Sequence, residues 1–537
     1  MRLAGSLRPP PSAPPPFFLV HFYLSPHSSA CVYFTAMADV IELDPYQAAC
    51  MTDYRRGKNV GVFSSAGGGK SVVLRAIITH AVGLHGASGV GICSWYGAAA
   101  DLIGGQTLHS LFACGVRRLE PSDLLQLTRA RFGVAAKLRR IRVLIIDEVF
   151  TMTAGWLALF LHVIRGLGTA EMQTHPAGGV QVVGMFHVIW WGRCRLLLFF
   201  LPSTTRLSFS SRVAAPADGV RRLCASPGVL TTLPLRALLC YRPCVVAGDP
   251  MQTLPVDLSP GAADRVVFDC LQWRSLFRAW RGSSRLLLGN HRHADDAAFA
   301  TTLERIRLGQ HEAADIAAIN QTWHNFTEDE RQRMPHLRAV NVTADAYNKD
   351  MMEALPGPSF RFDAVDEVLS RSPTEVAEAE EALGHTASAC VIVRLQAPVI
   401  ARRRISPTIP TGTVGTVVEV LSSFECICLF KGERVRVVRK KWEVFNKKGD
   451  VTATRMQLPI LLAWAVTIHR AQGSELERVC IDLSKDQWAC DGLVYTALSR
   501  VRSFRGLCVR GLTASHIKTS TMCLSFWDRL VQSMASP

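Results

Sequence analysis

The stretch "VFSSAGGGKS", residues 62–71, lies between a short apolar run and a segment with helical periodicity. Backbone N–H groups of a glycine-rich turn, followed by a helix start, a lysine and a hydroxyl, form a cradle for a phosphate group. The usual pattern opens on glycine, whereas Ser64 occupies that position here. Ser64 lies where a strand turns into the loop, so we expect it to need no positive φ. The groups of the predicted phosphate loop come from Gly67, Gly68, Gly69, Lys70 and Ser71.

The composition is that of a folded, basic protein. Of its residues, 48% are hydrophobic and 19% are charged, as in a globular protein. Its length of 537 residues is enough for roughly two to four domains. The net charge of +16 favours a polyanionic partner such as nucleic acid. The 16 cysteines show no paired metal-ligand spacing, so we expect reduced, mostly buried thiols and no zinc site. The apolar run 183–201 carries Arg193 and Arg195, which argues against a transmembrane helix and a membrane partner.

A second chemical signal follows the loop. From Leu43 to about Ile164, strand-like runs alternate with helical ones, which predicts an α/β domain with a parallel sheet. The run "RVLIID" (142–147) has the apolar character of a buried parallel strand and ends in an acid. We expect Asp147 to hold Mg²⁺ through water and Glu148 to orient an attacking water. Together with the phosphate loop, this pair predicts a nucleoside triphosphatase.

Two segments do not fit a globular pattern. Residues 1–36 are rich in proline and serine and lack acids, which fits a targeting or disordered tail, or a start of translation at Met37. Residues 184–243 show no period of 2 or 3.6, and Asp218 is the only acid between Glu171 and Asp249. We expect this segment to be intron read-through or a lineage-specific insertion that is disordered or loosely packed. The alternatives stay open in both cases.

The second half of the chain changes character twice. Acid-rich residues 363–384 predict a surface helix or linker, and residues 391–450 show short alternating strands with glycine turns, a pattern of a small β-barrel. The α/β style resumes at "QLPILLAWAVTIHRAQG" (457–473). The basic run "RVRVVRKKW" (434–442) is compatible with a surface that follows nucleic-acid phosphates or with a solvated strand face.

Further motifs occur in a fixed order along the chain. They are "LDPYQ" (43–47), "YGAAADLIGGQTLHSLF" (96–112), "VVAGDPMQTLPV" (245–256), "GNHRHADDAAFATTLERIRLG" (289–309), "QLPILLAWAVTIHRAQGSELERV" (457–479) and "VYTALSRVRSFRGL" (494–507). This set resembles that of superfamily 1 helicases, specifically the RecD-like petite-integration-frequency family of 5′-to-3′ DNA helicases. The resemblance runs from about Leu43 to Leu512 and is interrupted at 183–240.

The resemblance implies an architecture and an activity. It implies two RecA-like α/β domains with a small SH3-like β-barrel inserted in the second, and ATP bound between the two domains. The expected ranges are 37–275 for the first domain, 276–390 for the start of the second, 391–450 for the barrel, 451–525 for the remainder and 526–537 for a tail. The implied activity is ATP-dependent unwinding of duplex DNA by 5′-to-3′ movement on a single strand, in genome maintenance.

The resemblance also implies roles for individual residues. Gln47 would contact adenine, Ala66 to Ser71 would bind the phosphates, and Ser71 and Asp147 would bind Mg²⁺. The expected catalytic residues are Glu148, Gln252, Arg292 and Arg500, with the two arginines acting as arginine fingers. The expected DNA contacts are Thr107, His109, Thr467, His469 and Gln472.

Other roles are possible for three of the expected DNA contacts. Thr467, His469 and Gln472 can instead couple DNA to the nucleotide cleft. A third possibility is that Trp464 and Ile468 are core residues and that His469 lies at the capped start of a helix.

The chain departs from the family pattern at several points. Besides Ser64 and the insertion, it has an extra residue in "DEVFTM" at Phe150, Arg470 in place of lysine, and Arg292-His293 where the family has Arg-Gln. Two alternatives therefore stay open: a single-stranded nucleic-acid-binding protein with a decayed ATPase, and a helicase module of a mobile element or nuclease complex. We expect a monomer, and the nucleus and the mitochondrion both remain open as compartments.

Overall fold

The computed structural model describes residues 41–114, 119–168, 185–191, 195–201, 243–255, 266–277, 282–370, 372–446, 450–486 and 488–535. The chain divides into a unit Met1–Glu42, of which only the last two residues are described, and a unit Leu43–Pro537. Everything below concerns the second unit. Within the described ranges, every helix is too short or too polar to cross a membrane.

The first domain is built on a six-stranded sheet with the order β3-β2-β4-β7-β1-β8. All of its neighbouring strands run parallel, as predicted for the α/β domain. Each of β1, β4 and β7 is buried along its whole length, which explains their continuous apolar sequence. The strands are β1 (Asn59–Phe63), β2 (Val90–Ser94), β3 (Gln106–Thr107), β4 (Val143–Asp147), β7 (Cys244–Gly248) and β8 (Gly282–Leu286).

Helices cover both faces of this sheet. The first begins with Pro45 after an Asp44 N-cap, and the second buries Val73, Leu74, Ile77 and Ala81. The helices are α1 (Pro45–Arg55), α2 (Lys70–His85), α3 (Gly97–Leu102), α4 (Leu108–Phe112), α5 (Pro121–Ala130), α6 (Phe132–Arg140), α7 (Ala154–Gly166) and α8 (Leu271–Leu276).

The atypical segment 184–243 precedes β7 without displacing it from the sheet. β7 lies between β4 and β1 with Val245 beside both Ile145 and Val60, so its five residues complete the central sheet. Within the segment, β5 (Met185–Trp191) and β6 (Arg195–Leu201) form a separate antiparallel pair. Residues 184, 192–194 and 202–242 of the segment lie outside the described residues.

The second domain has a four-stranded parallel sheet with the order β20-β9-β21-β22. Its strands are β9 (His336–Arg338), β20 (Ala465–Thr467), β21 (Val479–Asp482) and β22 (Leu507–Arg510). Its helices are α9 (Ala297–Arg307), α10 (Ala313–Gln321), α11 (Glu328–Arg333), α12 (Asn341–Ala354), α14 (Ile468–Ala471) and α15 (Leu493–Leu498).

An all-β region interrupts this domain. It holds a five-stranded antiparallel sheet with the order β16-β15-β14-β13-β19, beside two smaller sheets and one helix. It is wider than the predicted 391–450, because residues 360–462 contribute strands; its SH3-like character stays a prediction. The elements are β10 (Phe360–Asp363), β11 (Val365–Val368), α13 (Pro373–Thr386), β12 (Cys390–Val393), β13 (Pro398–Ala401), β14 (Val414–Ser422), β15 (Glu425–Phe430), β16 (Glu433–Val438), β17 (Lys440–Phe445), β18 (Val451–Gln457) and β19 (Ile460–Leu462).

The basic run 434–442 lies on strands β16 and β17 and is paired locally. Arg434 contacts Glu419 at 2.5 Å, and Arg436 contacts Glu425 at 2.6 Å. Lys440 donates to backbone carbonyls of residues 404 and 405. These contacts favour the solvated, ion-paired strand face over a surface that follows phosphates.

Two of the predicted boundaries are wrong. The first domain does not end at 275, since β8 at 282–286 pairs with β1. The range 526–537 is not simply a tail, because helix α16 (Thr521–Ala535) runs through most of it. Phe526 of this helix stacks on Phe268 at 4.4 Å and contacts Phe63 and Phe150 in the core of the first domain. A short apolar helix at the end of a sequence carries no local sign of which core it joins.

Candidate nucleotide-binding cleft

The phosphate loop leaves the carboxyl end of β1 and enters α2 at Lys70. Gly67 and Gly69 have φ of +81° and +83°, a region that other residues rarely adopt. A Cβ on Gly67 would lie 2.5 Å from Cβ of Arg292, so the loop also needs glycine to admit the neighbouring segment. The backbone therefore has the curvature and the close approach that a phosphate cradle requires.

Ser64 fits the opening position of the loop without backbone strain. Among the described residues it is not one of those with positive φ, which confirms the expectation from sequence. Its side chain is buried, and Lys70 Nζ donates to the Ser64 carbonyl at 3.1 Å and to its Oγ at 3.2 Å. Lys70 Nζ also donates to the Ser65 carbonyl at 3.0 Å. The serine thus adds an acceptor for the loop lysine.

Two buried carboxylates face this lysine. β4 ends at Asp147, and Glu148 follows with φ +50°, which turns the chain sharply away from the sheet. Burial and the neighbouring Glu148 raise the pKa of Asp147 to about 7, although Lys70 opposes this rise. Burial lowers the pKa of Lys70, although the nearby carboxylates of Asp249, Glu148 and Asp147 act to raise it. Desolvated carboxylates beside the Ser71 hydroxyl form a donor set that suits Mg²⁺.

The second domain supplies the opposite wall of the cleft. Arg292 and Arg500 both line a cavity of about 250 Å³ together with Lys70, Asp147, Glu148 and Gln252. Arg500 is 2% exposed and donates to the carbonyls of Thr496 at 2.8 Å and Ser474 at 3.2 Å. Burial, with a contribution from Arg292, lowers the pKa of Arg500 to about 10, which leaves it charged at neutral pH. Both predicted arginine fingers therefore reach the site.

Gln472 was predicted to contact DNA, and the structure places it elsewhere. It is fully buried. Its Nε2 lies 3.2 Å from Gln252 Oε1 and 3.4 Å from Glu148 Oε2, and its Oε1 accepts from the Thr253 hydroxyl. A side chain enclosed this way cannot touch DNA in this conformation. The alternative, in which Gln472 couples the second domain to the nucleotide cleft, fits these contacts.

A buried hydrogen-bond network joins the loop to both domains, and no local sequence pattern predicts it. The Tyr495 hydroxyl accepts from the Ala66 N–H at 2.9 Å and donates to Asp249 Oδ2 at 2.9 Å. Arg307, whose side chain is fully buried, pairs with Asp249 at 2.9 Å and lies 3.9 Å from the Trp527 ring. The partners are separated by up to 429 residues in sequence, so no local pattern reveals them.

Two of the predicted DNA contacts, Thr107 and His109, lie at helix α4 of the first domain. Thr107 caps α4 by accepting from the Ser110 N–H at 3.2 Å. The His109 ring packs between Trp95 at 4.7 Å and Trp156 at 5.0 Å, and burial lowers its pKa to about 4. It is therefore neutral near pH 7 and contributes no charge to a phosphate contact.

In the second domain, Thr467 is buried at the carboxyl end of β20. His469 is partly buried in α14, and burial lowers its pKa. Trp464 and Ile468 are buried, in agreement with their interpretation as core residues. DNA contact by Thr107, His109, Thr467 and His469 stays a prediction.

Gln47 lies beside the loop but not on the cavity wall. Its Oε1 accepts from the Asp44 N–H at 3.0 Å in a capping box, and a Cβ on Gly69 would lie 2.4 Å from its Nε2. His291, which no sequence motif predicted as a site residue, lines the cavity, and its Nε2 lies 3.4 Å from Asp44 Oδ2. Adenine recognition by Gln47 stays a prediction.

Comparison with known proteins agrees with this geometry. A family model described as "PIF1-like helicase" matches residues 47–188. The chain is 25% identical over 482 residues to the ATP-dependent DNA helicase PIF6 of Trypanosoma brucei brucei, covering 88% of this chain and 53% of that protein. Over most of its length the chain is thus similar to proteins named ATP-dependent DNA helicases, and residues 47–188 match the PIF1-like helicase model. It is also 23% identical to the Pif1 helicase of Bdellovibrio bacteriovorus, covering 91% of this chain and 92% of that protein.

Solved structures of PIF1-like helicases share the fold. The Pif1 helicase of Candida albicans superposes with a TM-score of 0.71 at 21% identity, covering 91% of this chain and all of that one (100%). The Bacteroides Pif1 helicase in complex with ADP-AlF3 and ssDNA gives 0.62 at 17% identity, covering 92% and 98%. The two parallel sheets described above are accordingly those of two RecA-like domains. The chain spans about half the length of the trypanosome relative.

Proposed function

We propose that this protein is an ATP-dependent DNA helicase that unwinds duplex DNA by 5′-to-3′ movement on a single strand. The observation that carries the proposal is one cleft in which Lys70 and the carboxylates Asp147 and Glu148 of the first domain face Arg292 and Arg500 of the second. A triphosphate bound there is neutralised from both domains. The polarity of movement rests on the family.

Each residue of the cleft would have a separate role in ATP hydrolysis. A phosphate in the loop would take the Lys70 ammonium from its present acceptors, the carbonyls of residues 64 and 65. Glu148 would orient the attacking water and Gln252 would sense the γ-phosphate. Arg292 and Arg500 would stabilise charge that develops on the transferred phosphoryl group, a contribution of about 10³–10⁵ in rate for arginine fingers. Ser71 and Asp147 would hold Mg²⁺, which supplies further charge neutralisation when bound.

Hydrolysis would be converted into movement through Gln472. Its contacts with Glu148 and Gln252 place the loop after α14 directly against the catalytic side chains. α14 follows Thr467, a candidate DNA contact, at the end of β20. Loss of the γ-phosphate removes the charge that holds the arginines of the second domain against the first, so the cleft opens and the DNA-facing segments shift.

Support for DNA as the substrate comes from charge and from the relatives. The chain carries a net charge of +16, which favours a polyanion. The related trypanosome and Bdellovibrio proteins are named ATP-dependent DNA helicases, and the related Bacteroides structure contains ssDNA. A monomeric helicase in genome maintenance remains our expectation.

The deciding experiment measures ATP turnover with and without single-stranded DNA. We expect DNA to stimulate turnover, and Lys70→Ala to abolish turnover and unwinding while single-strand binding changes by no more than a few fold. The matched control is Lys58→Ala, because Lys58 is a lysine on the same domain that pairs with Asp53 at 2.9 Å, away from the cleft. Strong DNA binding without turnover in the unaltered protein would favour the decayed ATPase instead.

A further inference from the structure

A second cluster of cations lies in the second domain, on the face of its sheet that carries His336, Arg338, Asp482 and Arg510. The opposite face of the same strands is apolar and belongs to the main core. Helices α11 and α12 leave a cavity of about 440 Å³ over the polar face. We call this cavity the Arg338 pocket. It shares no lining residue with the nucleotide cleft.

Arg338 is a buried cation that forms no ion pair with any residue in the described part of the chain. It is 7% exposed, and its Nε and Nη1 have no hydrogen-bond partner among the described residues. Its guanidinium carbon lies over the Tyr347 ring, 5.0 Å from the ring centroid. Burying unpaired donors of a charged group is costly, and a bound anion would recover that cost.

The other charged side chains of the Arg338 pocket do not neutralise the positive charge of Arg338. Arg331 pairs with Glu328 at 2.8 Å, and Arg510 pairs with Asp482 at 2.6 Å. Of the remaining charged residues, Lys485 and Asp350 are exposed at the margin, where water screens them. Burial lowers the pKa of His336 to about 4, so its ring adds no charge near neutral pH. The buried part of the pocket therefore carries the single uncompensated charge of Arg338.

We propose that the Arg338 pocket binds a phosphate group, held by the guanidinium of Arg338 with Lys485 at the rim. Guanidinium groups bind phosphate through paired, charge-assisted hydrogen bonds. The group has two possible sources, free inorganic phosphate and a phosphodiester of DNA. Arg338 pairs in register with Thr467 on the adjacent strand, so a DNA strand at the predicted Thr467 contact would pass one strand away.

Equilibrium dialysis of labelled inorganic phosphate against the full chain tests this proposal. The background is Lys70→Ala, which weakens phosphate binding in the nucleotide cleft and makes the measurement independent of helicase activity. We expect one phosphate per chain in this background and at least about tenfold weaker binding after Arg338→Met is added, as loss of a charge-assisted bond implies. Arg333→Met is the matched control, because Arg333 is an exposed arginine of α11 that does not line the pocket.

Further measurements guard against misfolding and identify the source. Lys485→Ala, an exposed position, should also weaken binding by a few fold without changing the melting temperature. Displacement of the label by a short single-stranded oligonucleotide would identify the phosphodiester, and retention of both ligands together would identify free phosphate. Absence of binding, or equal binding in the background, Arg338→Met and Lys485→Ala proteins, would overturn the proposal.

Discussion

Replacing Tyr495 with phenylalanine tests whether the buried network ties the phosphate loop to the second domain. The change removes one oxygen and keeps the ring. It removes the acceptor of the Ala66 N–H and one of the donors to Asp249 Oδ2, each at 2.9 Å. Asp249 Oδ2 keeps the Arg307 Nε donor at 3.3 Å. Asp249 is 1% exposed, so water does not readily replace the lost donor.

The expected cost follows from those two groups. A buried donor or acceptor left unpaired costs about 1–3 kcal/mol, and a bond to a charged group is worth about 1.5–3 kcal/mol. We therefore expect a loss of about 2–4 kcal/mol, because Asp249 keeps Arg307 and the Met251 N–H as partners. In a domain of this size, each kcal/mol lost from the free energy of unfolding lowers the melting temperature by roughly 2–4 °C.

Thermal melting and ATP turnover, measured on the same preparations, check this expectation. Tyr54→Phe is the control, since Tyr54 is a buried tyrosine of α1 in the same domain that takes no part in the network around Asp249. Turnover of Tyr495→Phe should fall together with the melting temperature, because the loop loses its link to α15. A variant that melts and turns over like Tyr54→Phe would refute the view that this hydroxyl joins the two domains.

Three other perturbations give distinct results. Arg500→Ala should lower turnover by about 10³–10⁵ with little change in ATP affinity, measured as kcat against Kd; collapse of affinity alone would make it a binding residue only. Asp147→Asn removes a carboxyl whose pKa rises from 3.8 to about 7 on folding. The folded protein holds that proton longer than the unfolded chain, so stability falls as pH rises from about 4 to 7. The asparagine variant, melted without Mg²⁺, should gain relative stability at pH 7 and not at pH 4. Deleting residues 184–243 should leave turnover intact and raise resistance to protease; an insoluble product would make the segment a structural element.

Much of the cleft was predictable because its signals are local. The loop, the strand that ends in Asp147 and the motif order located Lys70, Glu148, Arg292 and Arg500, and the structure brings all of them to one cavity. The conformation of Ser64 is predictable too, because a residue at the end of a strand needs no positive φ, and Ser64 has none.

What the sequence did not show depends on contacts between distant segments. Gln472 belongs to a motif with two possible roles, and only packing against Glu148, 324 residues away, decides between them. Tyr495, Arg307 and Asp249 are ordinary residues until burial makes their pairing necessary. The first-domain boundary failed for the same reason, because β8 gains its place by pairing with β1 across more than 200 residues.

The position of helix α16 has a consequence for biosynthesis. Its Phe526 belongs to the aromatic core around Phe63 and Phe150, and Trp527 lies against Arg307. A ribosome makes these residues only after the second domain. The core of the first domain therefore stays incomplete while the residues between Leu286 and Thr521 are synthesised. Domains made first usually fold first, and an unfinished core exposes apolar surface in the meantime. We therefore expect nascent chains of this protein to depend on chaperones until α16 is released, and ribosome-bound chains stopped at residue 515 to be far more sensitive to protease than the finished protein.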